Sequence, residues 1–224
     1  MTITIDGPTA SGKSTVARLV AQQLGIYYLN SGILYRALAY LLIHHAGYTL
    51  ETLSTVQPEH VKEYLDPKRF VYRYDGGYEH IFFDTVDITP YLKTSQMDQG
   101  SSIVSTNMMV RQELTQFQRT IAQKNDLVID GRDCGSYVLP NATVKIFLTA
   151  LPAVRALRWQ HEQERKGNVF TQEQALEQLM MRDKRDAQRS VAPLVVPEGA
   201  VVIDNSVLSL HETVHRVLDV IKGI

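Results

Sequence analysis

The feature that most constrains this chain is a glycine-rich stretch near its start, directly after the β-favouring run Ile3-Thr4-Ile5. The stretch reads Gly7-Pro8-Thr9-Ala10-Ser11-Gly12-Lys13-Ser14-Thr15. An apolar-periodic segment follows it and ends at Gly25, so the predicted order is strand, loop, helix. The spacing G-x-x-x-x-G-K-S is that of a phosphate-binding loop, whose backbone N–H groups converge on a polyphosphate at the N-terminus of a helix.

Two side chains of this loop have predictable roles. Lys13 is expected to neutralise the β- and γ-phosphates of a nucleotide, and Ser14 is expected to place its hydroxyl on Mg²⁺. A chance match in an ordinary glycine-rich turn is the alternative, but the strand before the loop and the helix after it are the context that the motif requires.

Charge and composition limit the partners of the chain. Its 224 residues contain 23 Lys and Arg against 24 Asp and Glu, so any anion site is local rather than part of a general positive field. Cys134 is the sole cysteine, which excludes an internal disulfide. The start has no recognisable leader and no apolar run approaches the roughly 20 residues that cross a bilayer. A cytoplasmic monomer without nucleic-acid or membrane partners is expected.

Beyond the loop, strand and helix signals alternate, which predicts a parallel sheet with helices on both faces. Further strands are predicted at 26–29, 127–130, 144–148 and 200–204, and helices at 30–47, 110–123 and 152–166 and after residues 171 and 209. Thr171 with Gln174 and Ser209 with Glu212 predict capping boxes at the last two helices. Between residues 47 and 110 the rhythm breaks, and the runs 69–74 and 78–83 flank Asp75-Gly76-Gly77, a hairpin signal that predicts an inserted subdomain.

Arginines mark a second anion site. Arg132 follows a predicted strand, at the sheet edge where ligands of α/β proteins bind, and Arg36 follows the helix start at Ser31-Gly32. Arg182, Asp186 and Arg189 recur at one helix face, where a solvated ion-paired face is the alternative interpretation. Guanidiniums suit phosphate oxygens, and an anionic phosphate acceptor needs positioning and charge neutralisation more than a general base. A nucleotide-binding switch without an acceptor, and a kinase of another small molecule, remain alternatives.

These motifs together resemble the bacterial-type cytidylate kinases of the nucleoside monophosphate kinase family. The resemblance is carried by the glycine-rich loop and by three further segments: Leu29-Asn30-Ser31-Gly32-Ile33-Leu34-Tyr35-Arg36, Asp130-Gly131-Arg132-Asp133 and residues 182–194. It implies an α/β fold of the P-loop nucleoside monophosphate kinase type, with a five-stranded parallel sheet and flanking helices. The implied parts are a core at about 1–55, 105–150 and 195–224, a monophosphate-binding insert at about 56–104 and a lid at about 151–190.

The resemblance also implies the reaction, which is transfer of the γ-phosphoryl of ATP to CMP and dCMP with Mg²⁺. Residues 7–15 and Arg158 are expected to bind ATP, although Arg155 is a second candidate in the lid. Lys13 and Arg132 are the expected catalytic residues. The implied CMP-binding residues are Arg36 and Arg132 at the phosphate, Ser102, Arg111, Asp133 and Arg189 at the cytosine, and Arg182 and Asp186 at the ribose. Ser31 is also expected to bind CMP. Asn30 stands where the family usually has Asp.

One motif points elsewhere. His211-Glu212-Thr213-Val214-His215 fits H-E-x-x-H, which on a helix places two imidazoles on one face for zinc. Glu212 is also the predicted capping partner of Ser209, and the capping interpretation is favoured.

Overall fold

The computed structural model describes residues 1–223. The strands are β1 Thr2–Asp6, β2 Tyr27–Asn30, β3 Phe70–Asp75, β4 Tyr78–Phe83, β5 Val86–Asp87, β6 Leu127–Gly131, β7 Val144–Thr149 and β8 Val201–Asp204. The helices are α1 Lys13–Leu24, α2 Ser31–Ala46, α3 Pro58–Tyr64, α4 Ser95–Val104, α5 Met108–Ala122, α6 Pro152–Arg165, α7 Gln172–Ala187 and α8 Leu210–Lys222. A π-helical turn spans Cys134–Val138.

The main sheet contains the five strands that the alternating pattern predicts. Their order in the sheet is β2-β6-β1-β7-β8. The central strand β1 pairs in parallel with both β6 and β7, with Ile5 opposite Asp130 on one side and opposite Ile146 on the other. Ile3 and Ile5 are fully buried, because a central parallel strand is covered on both faces. The carboxyl ends of β1, β6, β7 and β8 therefore lie at one edge of the sheet, and the glycine-rich loop leaves from that edge.

Hydrogen-bonded caps define the ends of the helices that the sequence predicts. Gly25 ends α1 in a left-handed conformation, and Gly47 ends α2 in the same way. Thr171 and Ser209 both form complete capping boxes, with Gln174 and Glu212 as their partners. These predictions are confirmed, and each cap is a local interaction, between residues three positions apart in the capping boxes and three to five positions apart at the glycines.

The hairpin prediction is also confirmed. β3 pairs antiparallel with β4, and Asp75 lies opposite Tyr78 across a turn in which Gly76 and Gly77 both have positive φ. The short strand β5 adds a third strand to this sheet. The same region contains α3 and α4, for which the sequence analysis assigned no helix.

The chain divides into two compact units. Unit 1 comprises residues 1–28 and 125–224, of which residue 224 is not described, and unit 2 comprises residues 29–124. In unit 1, α1 packs against β6 and α8, and α6 packs against α7. In unit 2, α4 and α3 pack against α2, and α5 packs against α3. Over residues 1–223, no helix combines the length and the apolar character needed to cross a bilayer.

Candidate active site

The glycine-rich loop joins β1 to α1 in unit 1, and its two glycines have different tasks. A Cβ on Gly7 would lie 2.0 Å from the carbonyl oxygen of Leu148, so only glycine lets the loop pass this close to β7. Gly12 adopts φ 89° at the N-cap of α1, which begins at Lys13. The first N–H groups of α1 therefore point into the loop, as in a site for phosphate groups.

Lys13 is buried in this loop, with only 6% of its surface exposed. Its Nζ donates a hydrogen bond to the carbonyl oxygen of Pro8 over 3.1 Å. The pKa of Lys13 is lowered to about 7, chiefly by burial and next by the nearby guanidinium of Arg132, while the carboxylate of Asp130 counteracts part of the shift. The lysine is thus poised to lose its proton near neutral pH.

This pKa predicts that nucleotide binding takes up a proton. Above pH 7 Lys13 of the ligand-free protein is largely neutral, and an anionic polyphosphate restores its charge, so affinity should fall by up to about tenfold per pH unit above pH 7. Calorimetric titration with Mg²⁺ and the ATP analogue AMPPNP at pH 8, in buffers of different ionisation enthalpy, measures the uptake. Lys13→Arg keeps its proton at this pH and should abolish the uptake; equal uptake in the variant and the parent protein would contradict the assignment to Lys13.

Ser14 has a partner that the sequence analysis missed. Its Oγ donates a hydrogen bond to Oδ2 of Asp130 over 2.6 Å, and the hydroxyl of Tyr28 donates to Oδ1 of the same carboxylate over 2.7 Å. Asp130 is buried near the end of β6, and the only signal in the sequence is an acidic residue that closes an apolar strand. A hydroxyl and a carboxylate oxygen beside a phosphate loop are ligands that Mg²⁺ accepts, so the pair fits a magnesium site.

Arg132, Asp186 and Arg189 form an ion-paired cluster beside the loop, in which the carboxylate is buried and the two guanidiniums are partly buried. Arg132 Nε donates to Asp186 Oδ2 over 2.9 Å, and Arg189 donates to Oδ1 of the same carboxylate. Burial raises the pKa of Asp186, but the guanidiniums of Arg132, Arg189 and Arg182 outweigh it and hold that pKa below its ordinary value. Asp186 is only 1% exposed, so the interpretation of this helix face as solvated is wrong for its central residue.

Asp133 opens the turn that follows Arg132 and is 3% exposed. This turn is held to the end of β1, because the buried carboxylate of Asp6 accepts hydrogen bonds from the N–H groups of Cys134 and Gly135 over 2.8 and 2.7 Å. Burial raises the pKa of Asp6 to about 6, although both N–H groups counteract that rise. The Cys134 thiol is fully buried, and burial together with the neighbouring acids raises its pKa well above the ordinary range.

The two arginines of the predicted lid bind backbone and side-chain atoms around the loop. Arg155 donates to the carbonyl oxygens of Thr9 and Ala150, each over 3.0 Å. Arg158 donates to Oδ1 and to the carbonyl oxygen of Asn205, also over 3.0 Å. Asn205 in turn donates from Nδ2 to the carbonyl oxygen of Ser11, a role that no sequence motif indicates. The expectation that Arg158 contacts ATP stays a prediction.

Unit 2 contains the other predicted CMP-binding residues. Ser31 is the first residue of α2, and Asn30 Oδ1 accepts a hydrogen bond from the N–H of Ile33 over 3.1 Å. Asparagine in place of aspartate thus keeps the capping role while removing a charge. Further along α2, Arg36 donates from Nε and Nη2 to Oδ1 of Asp98 over 2.9 and 2.7 Å, an ion pair for which the sequence analysis had no expectation.

Ser102 and Arg111 of unit 2 are both buried, on α4 and α5. Arg111 is 1% exposed, and its Nη1 donates to the carbonyl oxygen of Ser105 over 3.0 Å. Its guanidinium also lies over the ring of Tyr35, 5.7 Å from the centroid. A buried guanidinium needs such acceptors, because an unpaired buried charge is strongly unfavourable.

The H-E-x-x-H segment lies on α8, where Glu212 Oε2 accepts hydrogen bonds from both the N–H and the Oγ of Ser209. Among residues 1–223, no group of three or more His, Cys, Asp and Glu side chains is arranged to hold a metal ion. The capping interpretation is confirmed.

A parallel sheet whose carboxyl edge carries a phosphate loop with a buried lysine, beside a cluster of arginines, defines a P-loop kinase. The family model described as cytidylate kinase matches residues 3–223. Two cytidylate kinases, from Fervidobacterium nodosum and Halalkalibacterium halodurans, are 40% and 37% identical over 220 and 222 residues. These matches cover 98% and 99% of this chain and 95% and 97% of the relatives. The chain belongs to the cytidylate kinase family.

Among solved structures, an uncharacterised protein from Eubacterium ventriosum has a similar fold, with a TM-score of 0.55 at 14% sequence identity. The alignment covers 100% of this chain and 99% of that protein. At this identity the likeness concerns the fold alone.

Proposed function

We propose that the residues described above carry out the activity of the family, ATP-dependent phosphorylation of CMP and dCMP to CDP and dCDP, with Mg²⁺ bound at Ser14 and Asp130. Residues 7–15 hold the phosphates of ATP, chiefly through the N–H groups at the start of α1, and Lys13 stabilises the charge that develops during transfer. When bound, the magnesium ion neutralises charge on the β- and γ-phosphates. Arg158 contacts the ATP phosphates from the lid.

On the acceptor side, the roles follow the family resemblance. Arg36 and Arg132 hold the phosphate of CMP together with Ser31, and Arg182 and Asp186 hold the ribose. Ser102, Arg111, Asp133 and Arg189 read the cytosine, whose exocyclic amine is a donor and whose ring N3 and O2 are acceptors. The acceptor phosphate is already an anionic nucleophile, so these residues position it and neutralise charge without a general base.

One contact carries this proposal. Arg132 Nη2 donates a hydrogen bond to Oγ1 of Thr9 over 3.3 Å, so a guanidinium suited to an acceptor phosphate lies directly at the loop that holds the donor. A nucleotide switch needs no second phosphate site beside its loop. The adjacency of the two anion-binding groups therefore favours phosphoryl transfer over nucleotide binding alone.

Coupled measurement of ADP production tests the proposal. Purified protein is given ATP and Mg²⁺ with CMP, dCMP, UMP, AMP, GMP or no acceptor, and Mg²⁺ is then replaced by EDTA. Turnover with CMP and dCMP that depends on Mg²⁺ is expected. Equal turnover with every monophosphate would contradict the assignments of Asp133, Arg111 and Arg189, and no stimulation by any of them would favour a switch.

A separate prediction concerns the choice of base. Replacing Asp133 with alanine should narrow the ratio of kcat/KM for CMP over UMP by about 10- to 100-fold, because the cytosine amine loses its acceptor and uracil no longer faces an unsuited carboxylate. Steady-state kinetics with both acceptors give the ratio. A general disturbance of this buried turn would lower both values alike, so an unchanged ratio would show that Asp133 does not read the base.

The proposed enzyme acts as a cytoplasmic monomer on free nucleotides. Its nearly balanced charge supports the absence of nucleic-acid and membrane partners, since there is no overall positive field to attract either. Light scattering coupled to size-exclusion chromatography gives the mass in solution.

A further inference from the structure

Thr9 of the glycine-rich loop is held by three charged side chains at once. Its N–H donates to Asp183 Oδ1 over 3.0 Å, its carbonyl oxygen accepts from Arg155 Nη1 over 3.0 Å, and its Oγ1 accepts from Arg132 Nη2 over 3.3 Å. These partners come from α7, from α6 and from the loop after β6. Every polar group of one loop residue is therefore fixed by a different element of unit 1.

Two of the three partners also bind each other. Arg155 forms an ion pair with Oδ2 of Asp183, and their side chains are 7% and 16% exposed. Arg155 also donates to the carbonyl oxygen of Ala150, so its guanidinium has little freedom to turn elsewhere. Such a pair is buried favourably only when further hydrogen bonds satisfy both ions, and the backbone of Thr9 supplies them here.

The third partner connects Thr9 to the cluster at the acceptor side. Arg132 binds Thr9 with Nη2 and Asp186 with Nε. Asp183 and Asp186 are three residues apart on α7 and thus share a helix face. One face of α7 consequently contacts Thr9 directly through Asp183 and indirectly through Asp186 and Arg132.

We propose that Asp183, together with Arg155, is a positioning residue that sets the place of Thr9 and thereby the orientation of Arg132 for phosphoryl transfer. The inference rests on the proposed role of Arg132 at the acceptor phosphate. Asp183 touches neither reacting group and acts through Thr9. Without it, Thr9 loses the acceptor for its N–H and Arg155 loses its counterion, so the hydroxyl that orients Arg132 is no longer fixed.

A double-mutant cycle tests this path. Thr9→Val keeps the backbone groups and the approximate shape but removes the hydroxyl that binds Arg132. We expect Asp183→Ala to lower kcat/KM for CMP by about tenfold at saturating ATP, since small misplacements of a positioned group cost this much or more. In the Thr9→Val background, Asp183→Ala should have almost no further effect. A loss of kcat/KM in the double variant equal to the product of the two single-variant losses would overturn the proposal.

Three comparisons separate positioning from folding. Asp183→Asn retains Oδ1 as an acceptor for the N–H of Thr9 and should recover most of the lost kcat/KM. Asp183→Ser, whose side chain is shorter by one heavy atom and lacks the carboxylate, takes the place of alanine in the cycle if Asp183→Ala does not fold. Recovery no better than that of alanine would contradict the proposal. Glu177→Ala removes an exposed acid from the same helix and should leave kcat/KM unchanged. If the parent protein phosphorylates no monophosphate, the proposed function is refuted. If the parent protein is active but the loss of kcat/KM in the double variant equals the product of the two single losses, only the role of Asp183 is refuted.

Discussion

Replacing Lys13 with alanine is expected to lower kcat/KM by about 10²-fold or more, equivalent to roughly 3 kcal/mol of transition-state stabilisation. The buried ammonium lies in the loop that holds the donor phosphates, and water cannot easily replace a charge in so enclosed a place. Steady-state kinetics with ATP and CMP varied in turn measure the loss, which should appear in kcat, because charge develops in the transition state, and also as a higher KM for ATP, because the ammonium binds the phosphates in the ground state.

A matched control for this variant is Lys166→Ala. Lys166 pairs with Glu162 one turn earlier on α6, an ion pair of the helix surface, and its removal should leave turnover unchanged. Near-normal turnover of Lys13→Ala would refute the role of the glycine-rich loop in catalysis.

The second large effect concerns stability. Asp186→Ala should lower the free energy of unfolding by about 2 kcal/mol, because it leaves the partly buried guanidiniums of Arg132 and Arg189 without their shared carboxylate. Urea denaturation followed by circular dichroism gives the difference. Asp186→Asn keeps one carbonyl acceptor, so its free energy of unfolding should lie between those of the parent protein and Asp186→Ala. Glu177 is exposed on the same helix, and Glu177→Ala should leave the urea midpoint unchanged. A midpoint of Asp186→Ala equal to that of the parent protein would show that the cluster does not stabilise the fold.

Local chemistry explains which parts of the fold are predictable. The glycine-rich loop, the hairpin at Asp75-Gly76-Gly77 and both capping boxes involve residues a few positions apart, so their signals lie within a short window of sequence. The start of α5 at Met108, capped by Asn107, falls two residues before the predicted start. The helices α3 and α4 escaped prediction because they lie where the alternation of strands and helices breaks.

The hydrogen-bond partners of the site residues could not be predicted from the sequence. Asp130 meets Ser14 across 116 positions of the chain, Asp183 meets Thr9 across 174, and Asn205 meets Ser11 across 194. Nothing in the spacing of the sequence marks such pairs, because only the order of strands in the sheet brings them to one edge. Motifs therefore mark candidate site residues, but they do not indicate which residues hold those candidates in place.

Because Cys134 is buried, the native chain is suited to fluorescent labelling at a single introduced cysteine. The sole thiol is fully buried and its pKa is raised, so it should not react in the folded protein with maleimide dyes, which are electrophiles that thiolates attack. A cysteine introduced at Val169, which is 90% exposed between α6 and α7, would then be the single labelled position. Movements of the segment that joins these helices could be followed during turnover without first removing any native residue.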